Sequence, residues 1–285
     1  MACVRGWKAL AAPARRPVLG LMLGLSLGLF PGGFLAADGA RADEPVDVEL
    51  VLAVDVSYSM DLDELALQRD GYMRAVTSPE FLNALKLGPN GRVAIAYVEW
   101  AGIDEQKLVV DWTFISGARD AERFAQAIRQ APLRRVYRTS ISGAIEYSAG
   151  LIEQNGIRGL RRVIDISGDG TNNQGPLVDA ARDAVVARGI TVNGLPLMLK
   201  EVAGSMLDIG QLDIYYEDCV IGGPGAFVIP VRGTHEFADA IKTKLVLEIA
   251  GVVPPNQPLI RPANADAPRI SCTIGERMWM ERWGN

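Results

Sequence analysis

From residue 47 onward the chain alternates short apolar runs with segments of helical spacing, and this alternation limits the fold more than any other feature. Val48 to Val56 is an unbroken apolar-rich run carrying Leu50, Val51, Leu52, Ala53 and Val54. A run of that length, apolar at odd and even positions alike, suits a central strand buried on both faces. Asp61 to Val76 follows with apolar residues at helical intervals, and Asp61 with Glu64 supplies a helix-start signal. Further strands are expected over Arg92–Trp100, Lys107–Ile115, Arg162–Ser167, Thr191–Leu199 and Ala226–Val231, and further helices over Asp120–Gln130, Ser140–Ile152, Pro176–Arg188 and Thr234–Ala250. Ala101–Gln106 reads as a hairpin loop, so the second and third strands form an antiparallel edge pair.

Alternation of this kind predicts an α/β fold: a doubly wound, Rossmann-like three-layer sandwich around a mostly parallel six-stranded sheet with one antiparallel edge strand. The chain has 285 residues, 49% of them apolar, enough for one such core and too few for two. Charged residues make up 22% with a net charge of -5 and no basic stripe, which argues against nucleic acid as a partner.

The N-terminal stretch reads as an export signal. Arg5, Lys8, Arg15 and Arg16 precede an uncharged apolar run from Val18 to Phe30, which Pro31, Gly32 and Gly33 break; Ala40-Arg41-Ala42 fits a small-x-small cleavage site. The apolar run falls short of the roughly 20 residues a membrane-spanning helix needs. Residues 1–42 are therefore expected to be a signal peptide cleaved after Ala42, residues 43–250 the folded domain, and the Pro-rich segment 251–285 an extended tail in which Trp279 and Trp283 alone suggest docking. The expected location is periplasmic or secreted, with no membrane span in the mature chain. Loss of residues 1–42 removes five basic residues and one acidic residue, leaving 24 basic against 33 acidic and a net charge of -9. Cys219 and Cys272 remain; an oxidising compartment allows one disulfide, though spacing alone leaves the pairing open.

Three groups of oxygen donors fall at strand ends. Asp55, Ser57 and Ser59 form D-x-S-x-S directly after the first strand, Thr139 precedes the helix beginning at Ser140, and Asp169 follows the fourth strand in Ser167-Gly168-Asp169-Gly170. Each has an ordinary structural use: Ser57 and Ser59 suit a turn, Thr139 suits a helix cap, and Asp169-Gly170 suits a turn pair. Their order is more informative than any one of them. In the common doubly wound strand order the first and fourth strands are neighbours at the reversal point, where ligands bind beyond the carboxyl ends. Hard oxygen donors meeting there match what Mg²⁺ selects. Asp165, inside the fourth strand, reads as structural, Asn172 and Asn173 as loop formers, and Gly222-Gly223-Pro224-Gly225 as a turn. His235, the single histidine, lies away from every motif.

V-D-V-S-Y-S-M, T-S-I-S-G-A-I and I-S-G-D-G together resemble the metal-ion-dependent adhesion site of von Willebrand factor type A domains, over residues 46–250. D-C-V-I-G-G-P-G-A-F-V at 218–228 resembles an uncharacterised proteobacterial branch of that family, a domain of unknown function. The resemblance implies a metal set of Asp55, Ser57, Ser59, Thr139 and Asp169 holding Mg²⁺ (or Mn²⁺ or Ca²⁺). It also implies a non-enzymatic, exported protein-binding module that captures a Glu or Asp carboxylate of a partner protein. Two positions depart from the family pattern: Arg138 stands where glycine is common before the threonine, and Gly168 where threonine is common before the later aspartate. A metal-assisted hydrolase or phosphatase on a similar sheet is one alternative; it lacks G-x-S-x-G, a P-loop and a second acid two residues after Asp55, where Ser57 stands. A scaffold that no longer uses metal is the other.

Overall fold

The computed structural model describes residues 45–199, 209–251, 261–262 and 269–283. The expected signal peptide lies outside them. The elements run β1 (Val46–Asp55), α1 (Leu62–Thr77), α2 (Pro79–Leu85), β2 (Val93–Trp100), β3 (Gln106–Ile115), α3 (Ala118–Gln130), α4 (Ile141–Gln154), β4 (Gly159–Gly168), α5 (Val178–Val186) and β5 (Thr191–Pro196). They continue with α6 (Leu212–Tyr215), which runs into a π-helical turn (Tyr216–Val220), then β6 (Phe227–Val228), α7 (Phe237–Ala250), β7 (Arg261–Pro262) and α8 (Ile274–Trp283).

The sheet order is β3-β2-β1-β4-β5-β6-β7. β1 is parallel to both neighbours, with Leu50 opposite Ile95 of β2 and Val163 of β4. β3 runs antiparallel to β2, as the hairpin reading required. All six expected strands are present; the two-residue β7 adds a short antiparallel strand at the opposite edge.

Every residue of β1 is buried, and the reason is visible in its alternation. Val48, Leu50, Leu52 and Val54 enter the core layer shared with α1, α2, α3 and α7. Val51 and Ala53 enter the layer on the other face, under α4, α5 and the π-helical turn. Burying a side chain such as Leu50 or Leu52 contributes about 1.5–3 kcal/mol, so both layers pull on this one strand.

Local chemistry sets the helix ends. Asp61 caps α1 in a reciprocal box: Asp61 Oδ1 accepts from the Glu64 N–H and Glu64 Oε2 from the Asp61 N–H, both at 2.8 Å. Gly189 lies just past α5 with φ of 73°, a left-handed conformation that glycine adopts without strain. α5 and α7 begin at Val178 and Phe237, two and three residues later than the periodicity suggested. α2 was not expected from periodicity; its signal was Ser78-Pro79, where Ser78 Oγ accepts from the Phe81 N–H and proline occupies the first turn.

Asp165 has the structural role expected of it. Its Oδ1 lies 2.7 Å from Nζ of Lys244 in α7, and Lys244 also pairs with Glu248 one turn on. Asn193 of β5 donates to Glu248 Oε1 at 2.9 Å. All three charged side chains are buried. Burial, then the Glu248 charge, pushes Asp165 up to about 7 against the pull of Lys244. The triad pins α7 to the sheet.

The expected extended tail is corrected at its far end, where α8 is helical and Cys272 is joined to Cys219 of the π-helical turn by a disulfide. The bridge ties α8 to the domain, a constraint that a reading of local periodicity does not contain.

Candidate metal centre

β1 ends at Asp55, and its carboxylate folds the following loop. Asp55 Oδ1 accepts the Ser57 N–H at 2.7 Å, an Asx-type turn that reverses the chain at once. The backbone beyond is held from both sides: the Val56 N–H donates to Trp100 O, and the Val136 N–H donates to Val56 O, each at 2.9 Å. Gln68 of α1 donates to Asp55 O at 3.0 Å. Held this way, Ser57 and Ser59 bring their hydroxyls to 2.6 Å from each other, and Ser59 Oγ donates to Asp169 Oδ1 at 2.5 Å. Residues 110 positions apart in the chain thus share one hydrogen-bonded line.

Asp169 arrives because β4 is the parallel neighbour of β1, with Ser167 opposite Val54. Gly168 lies beside Asp55, and its identity has a steric cause. A Cβ placed there would stand 2.8 Å from Asp55 Oδ2 and 3.0 Å from the Tyr216 hydroxyl. The threonine common in the resembling family has no room. Tyr216, which the sequence reading missed, is fully buried next to this pair and donates to Gly168 O at 3.4 Å.

Thr139 joins from a third loop. Its N–H donates to Asn173 Oδ1 at 3.1 Å, and its carbonyl accepts the Asn173 N–H at 2.9 Å. Its side chain lies beside the turn after Asp169: a Cβ on Gly170 would meet Thr139 Oγ1 at 3.9 Å. The N-cap of α4 is Ser140, whose Oγ accepts the Gly143 N–H at 3.2 Å. The capping use open to Thr139 is therefore filled by its neighbour. Asp55, Ser57, Ser59 and Asp169 meet directly through Asp55–Ser57, Ser57–Ser59 and Ser59–Asp169 contacts; Thr139 flanks them.

Arg138, directly before Thr139, has φ of 78°. This is the left-handed region glycine favours, so the residue departs from the family pattern while the backbone conformation suits glycine.

Asn172 and Asn173 do more than form a loop. Asn172 is fully buried; its Oδ1 accepts from the Ser142 N–H at 3.1 Å and from Ser142 Oγ at 3.2 Å, and its Nδ2 donates to Pro176 O and to Glu276 Oε1 of α8 at 2.7 Å. Its N–H donates to the Tyr215 hydroxyl at 3.2 Å. The asparagine thereby ties the Asp169 loop to α4, α6 and α8. Gly275 sits so close to Asn172 O and Thr171 Oγ1 that any side chain there would collide.

The electrostatics at Asp55 suit a cation. The residue is fully buried, and its Oδ2 has no hydrogen-bond partner among the described residues. Burial, then the Asp169 charge, pushes the Asp55 carboxyl up to about 8, against hydrogen bonds from the Ser57 side chain and from the Ser57 and Asp169 backbone N–H groups. A buried acid beside a second acid is costly to ionise without a positive charge. A bound dication reverses that preference. The donor set, two carboxylates with neighbouring hydroxyls, is the hard-oxygen chemistry of Mg²⁺, Mn²⁺ and Ca²⁺. Among the described residues, no cluster of three or more acid, histidine or cysteine side chains is arranged to hold a metal.

Residues 45–253 match the family described as "Protein of unknown function (DUF1194)". No curated protein matches the chain. Several solved structures share the fold. Proximal thread matrix protein 1 from the mussel byssus, described with a zinc-occupied MIDAS motif, superposes with a TM-score of 0.51 at 15% identity, over 72% of this chain and 46% of its own. The pilus adhesin SpaC from Lactobacillus rhamnosus GG gives 0.56 at 12% identity, over 72% and 31%. A von Willebrand factor type A protein from Catenulispora acidiphila gives 0.49 at 13% identity, over 72% and 43%. The chain spans less than half the length of each of these three. At such identities the likeness is one of fold alone, a mostly parallel sheet between two layers of helices.

Proposed function

The chain belongs to the family of unknown function matched over residues 45–253, and on that premise we propose that it is an exported, divalent-cation-dependent protein-binding module. Asp55, Ser57, Ser59, Thr139 and Asp169 would hold Mg²⁺, with Mn²⁺ and Ca²⁺ as competing ions. The observation that carries this reading is the unpartnered, buried Oδ2 of Asp55 beside the Ser57–Ser59–Asp169 line. When bound, the ion supplies a positive centre to which a partner's carboxylate can add as a further ligand. The chain's own part is to present few charges to the ion and to keep the three loops still: Asn173 clamps Thr139, and Asn172 clamps the Asp169 loop.

Binding rather than catalysis is favoured by what surrounds the centre. Ser57 stands where a phosphoryl-transfer site needs a second acid, and His235, the single histidine, is exposed at the approach to α7. The mussel byssus protein and the pilus adhesin that share this fold are, by their descriptions, a matrix protein and an adhesin. Export is supported by the basic and apolar order of residues 1–42 and by the Cys219–Cys272 disulfide, a bond that persists in oxidising compartments. In this reading the mature chain begins at Asp43, its domain extends to 250, and the protein acts in the periplasm or outside the cell. No helix among the described residues is long and apolar enough to cross a membrane.

The test is calorimetric titration of the purified, oxidised protein with Mn²⁺ and Mg²⁺. One ion should bind per chain, and Asp55→Ala should abolish the heat. An absence of divalent-ion binding by the native protein would overturn the proposal and leave the metal-free scaffold in its place.

A further inference from the structure

A row of aromatic rings leads away from the candidate centre along the edge of α8. Tyr58, between Ser57 and Ser59, is 52% exposed, and its ring lies 5.9 Å from that of Tyr137. Tyr137 is 53% exposed and lies 5.9 Å from Trp279 of α8. Trp279 in turn stacks on Trp283 at 5.8 Å. Two arginines lie on these rings. Arg135 stands 5.0 Å over Tyr58 and donates to its carbonyl; Arg138 stands 3.4 Å over Trp279. Their neighbour Arg134 is paired with Glu105 at 2.9 Å, whereas Arg135 and Arg138 have no carboxylate partner among the described residues.

The chain has a net charge of -5, yet two guanidinium groups gather here, Arg135 over the exposed Tyr58 and Arg138 over the half-buried Trp279, and aromatic residues with arginine are the types that dominate the energy of protein interfaces. Arg138 adds a second argument. Holding a residue other than glycine at φ of 78° costs about 1–2 kcal/mol, and glycine would remove that cost. The guanidinium's contact with Trp279 offsets part of that cost and fixes a positive charge on the row. The rings also tilt against each other, by 59° between Tyr58 and Tyr137 and 77° between Tyr137 and Trp279. They offer edges and notches for side chains rather than one flat platform for sugar rings.

We infer that this row, with α8 as its outer half, is the docking surface for an acidic, extended segment of a partner protein, whose carboxylates meet Arg135 and Arg138 while its apolar side chains lie against the rings. The inference rests on the binding role proposed for the centre and deepens it by naming the partner's chemistry. α8 is held in place for this by the Cys219–Cys272 bond and by Glu276 on Asn172.

The experiment is panning of a phage-displayed random peptide library on the full, oxidised chain, with Mn²⁺ and with chelator, against the native protein and the Trp279→Ala and Arg138→Gly variants. Mn²⁺ uptake of each protein is measured separately by calorimetry. The native protein should enrich acidic peptides with interspersed apolar residues. Both variants should bind the selected peptides at least about tenfold more weakly, the loss of one hot-spot contact, while taking up Mn²⁺ as the native chain does. Enrichment of no peptide, of non-acidic peptides, or of the same peptides with equal affinity by all three proteins would overturn the inference. So would binding of polygalacturonate, an acidic polysaccharide, in place of peptides. Capture that survives chelator and is lost in Trp279→Ala would support the surface and sink the metal reading instead.

Discussion

Two buried carboxylates lie on neighbouring strands, Asp165 within β4 and Asp55 at the end of β1, and they are balanced in different ways. Asp165 meets Lys244 at 2.7 Å. Asp55 meets a serine N–H and hydroxyl, a backbone N–H of Asp169 and the charge of a second carboxylate. Burial raises both, to about 7 and about 8. The difference lies in the counter-charge. For Asp165 it is built into α7, so the charge is part of the architecture. For Asp55 no lysine, arginine or histidine among the described residues pairs with it, so in the proposed reading the counter-charge comes from solution.

That contrast is most exposed to attack at Lys244. Lys244→Met should leave Asp165 and Glu248 buried without their cation and cost about 3–5 kcal/mol in urea unfolding; a loss under about 1 kcal/mol would dissolve the distinction between the two acids. The next largest effect is expected from the ion itself. Mn²⁺ at a hundredfold over its Kd should stabilise the native chain by about 2.7 kcal/mol, and the Asp55→Asn chain not at all. Thermal melts with and without ion read this directly.

Smaller effects separate the two residues before α4. Ser140→Ala removes the helix cap and should cost about 1–2 kcal/mol, with Mn²⁺ uptake retained. Thr139→Val keeps the side chain's shape and should cost less stability than Ser140→Ala, yet weaken Mn²⁺ binding. The reverse pattern would make Thr139 the structural residue of the pair. The smallest change is expected from Asp55→Asn in metal-free protein, a shift within about 1 kcal/mol in either direction, because the substitution relieves a buried acid that has no cation.

Much of the architecture was readable before any coordinates. Val48–Val56, apolar at every even position and at Val51 and Ala53 between, reads as a strand covered on both sides. Asp61 and Glu64 marked the start of α1, and the hairpin at Ala101–Gln106 marked the antiparallel edge. The meeting of Asp55, Ser57 and Ser59 with Asp169 was an expectation from the common doubly wound order, in which the first and fourth strands are neighbours, and the sheet has that adjacency. Such features are local or periodic, and a linear text carries them.

What surrounds the centre was not readable. Tyr216 lies beside Asp55 because a π-helical turn presents it there, and only that placement explains Gly168. Asn172 reads as a loop residue until α4, α6 and α8 are seen to converge on it. α8 itself, in a segment expected to be extended, follows directly after Cys272, which is bonded to Cys219, 53 residues earlier. Sequence alone therefore determined the alternating α/β sandwich and placed Asp55, Ser57, Ser59 and Asp169 at strand ends, since these follow from periodicity and from where each apolar run stops. Tertiary structure alone decided that Asp165 meets Lys244 whereas Asp55 Oδ2 has no hydrogen-bond partner among the described residues, and that an aromatic and arginine wall stands beside the centre. Those outcomes rest on side chains meeting across long chain separations, where solvent exclusion and close packing, rather than local spacing, set the energy.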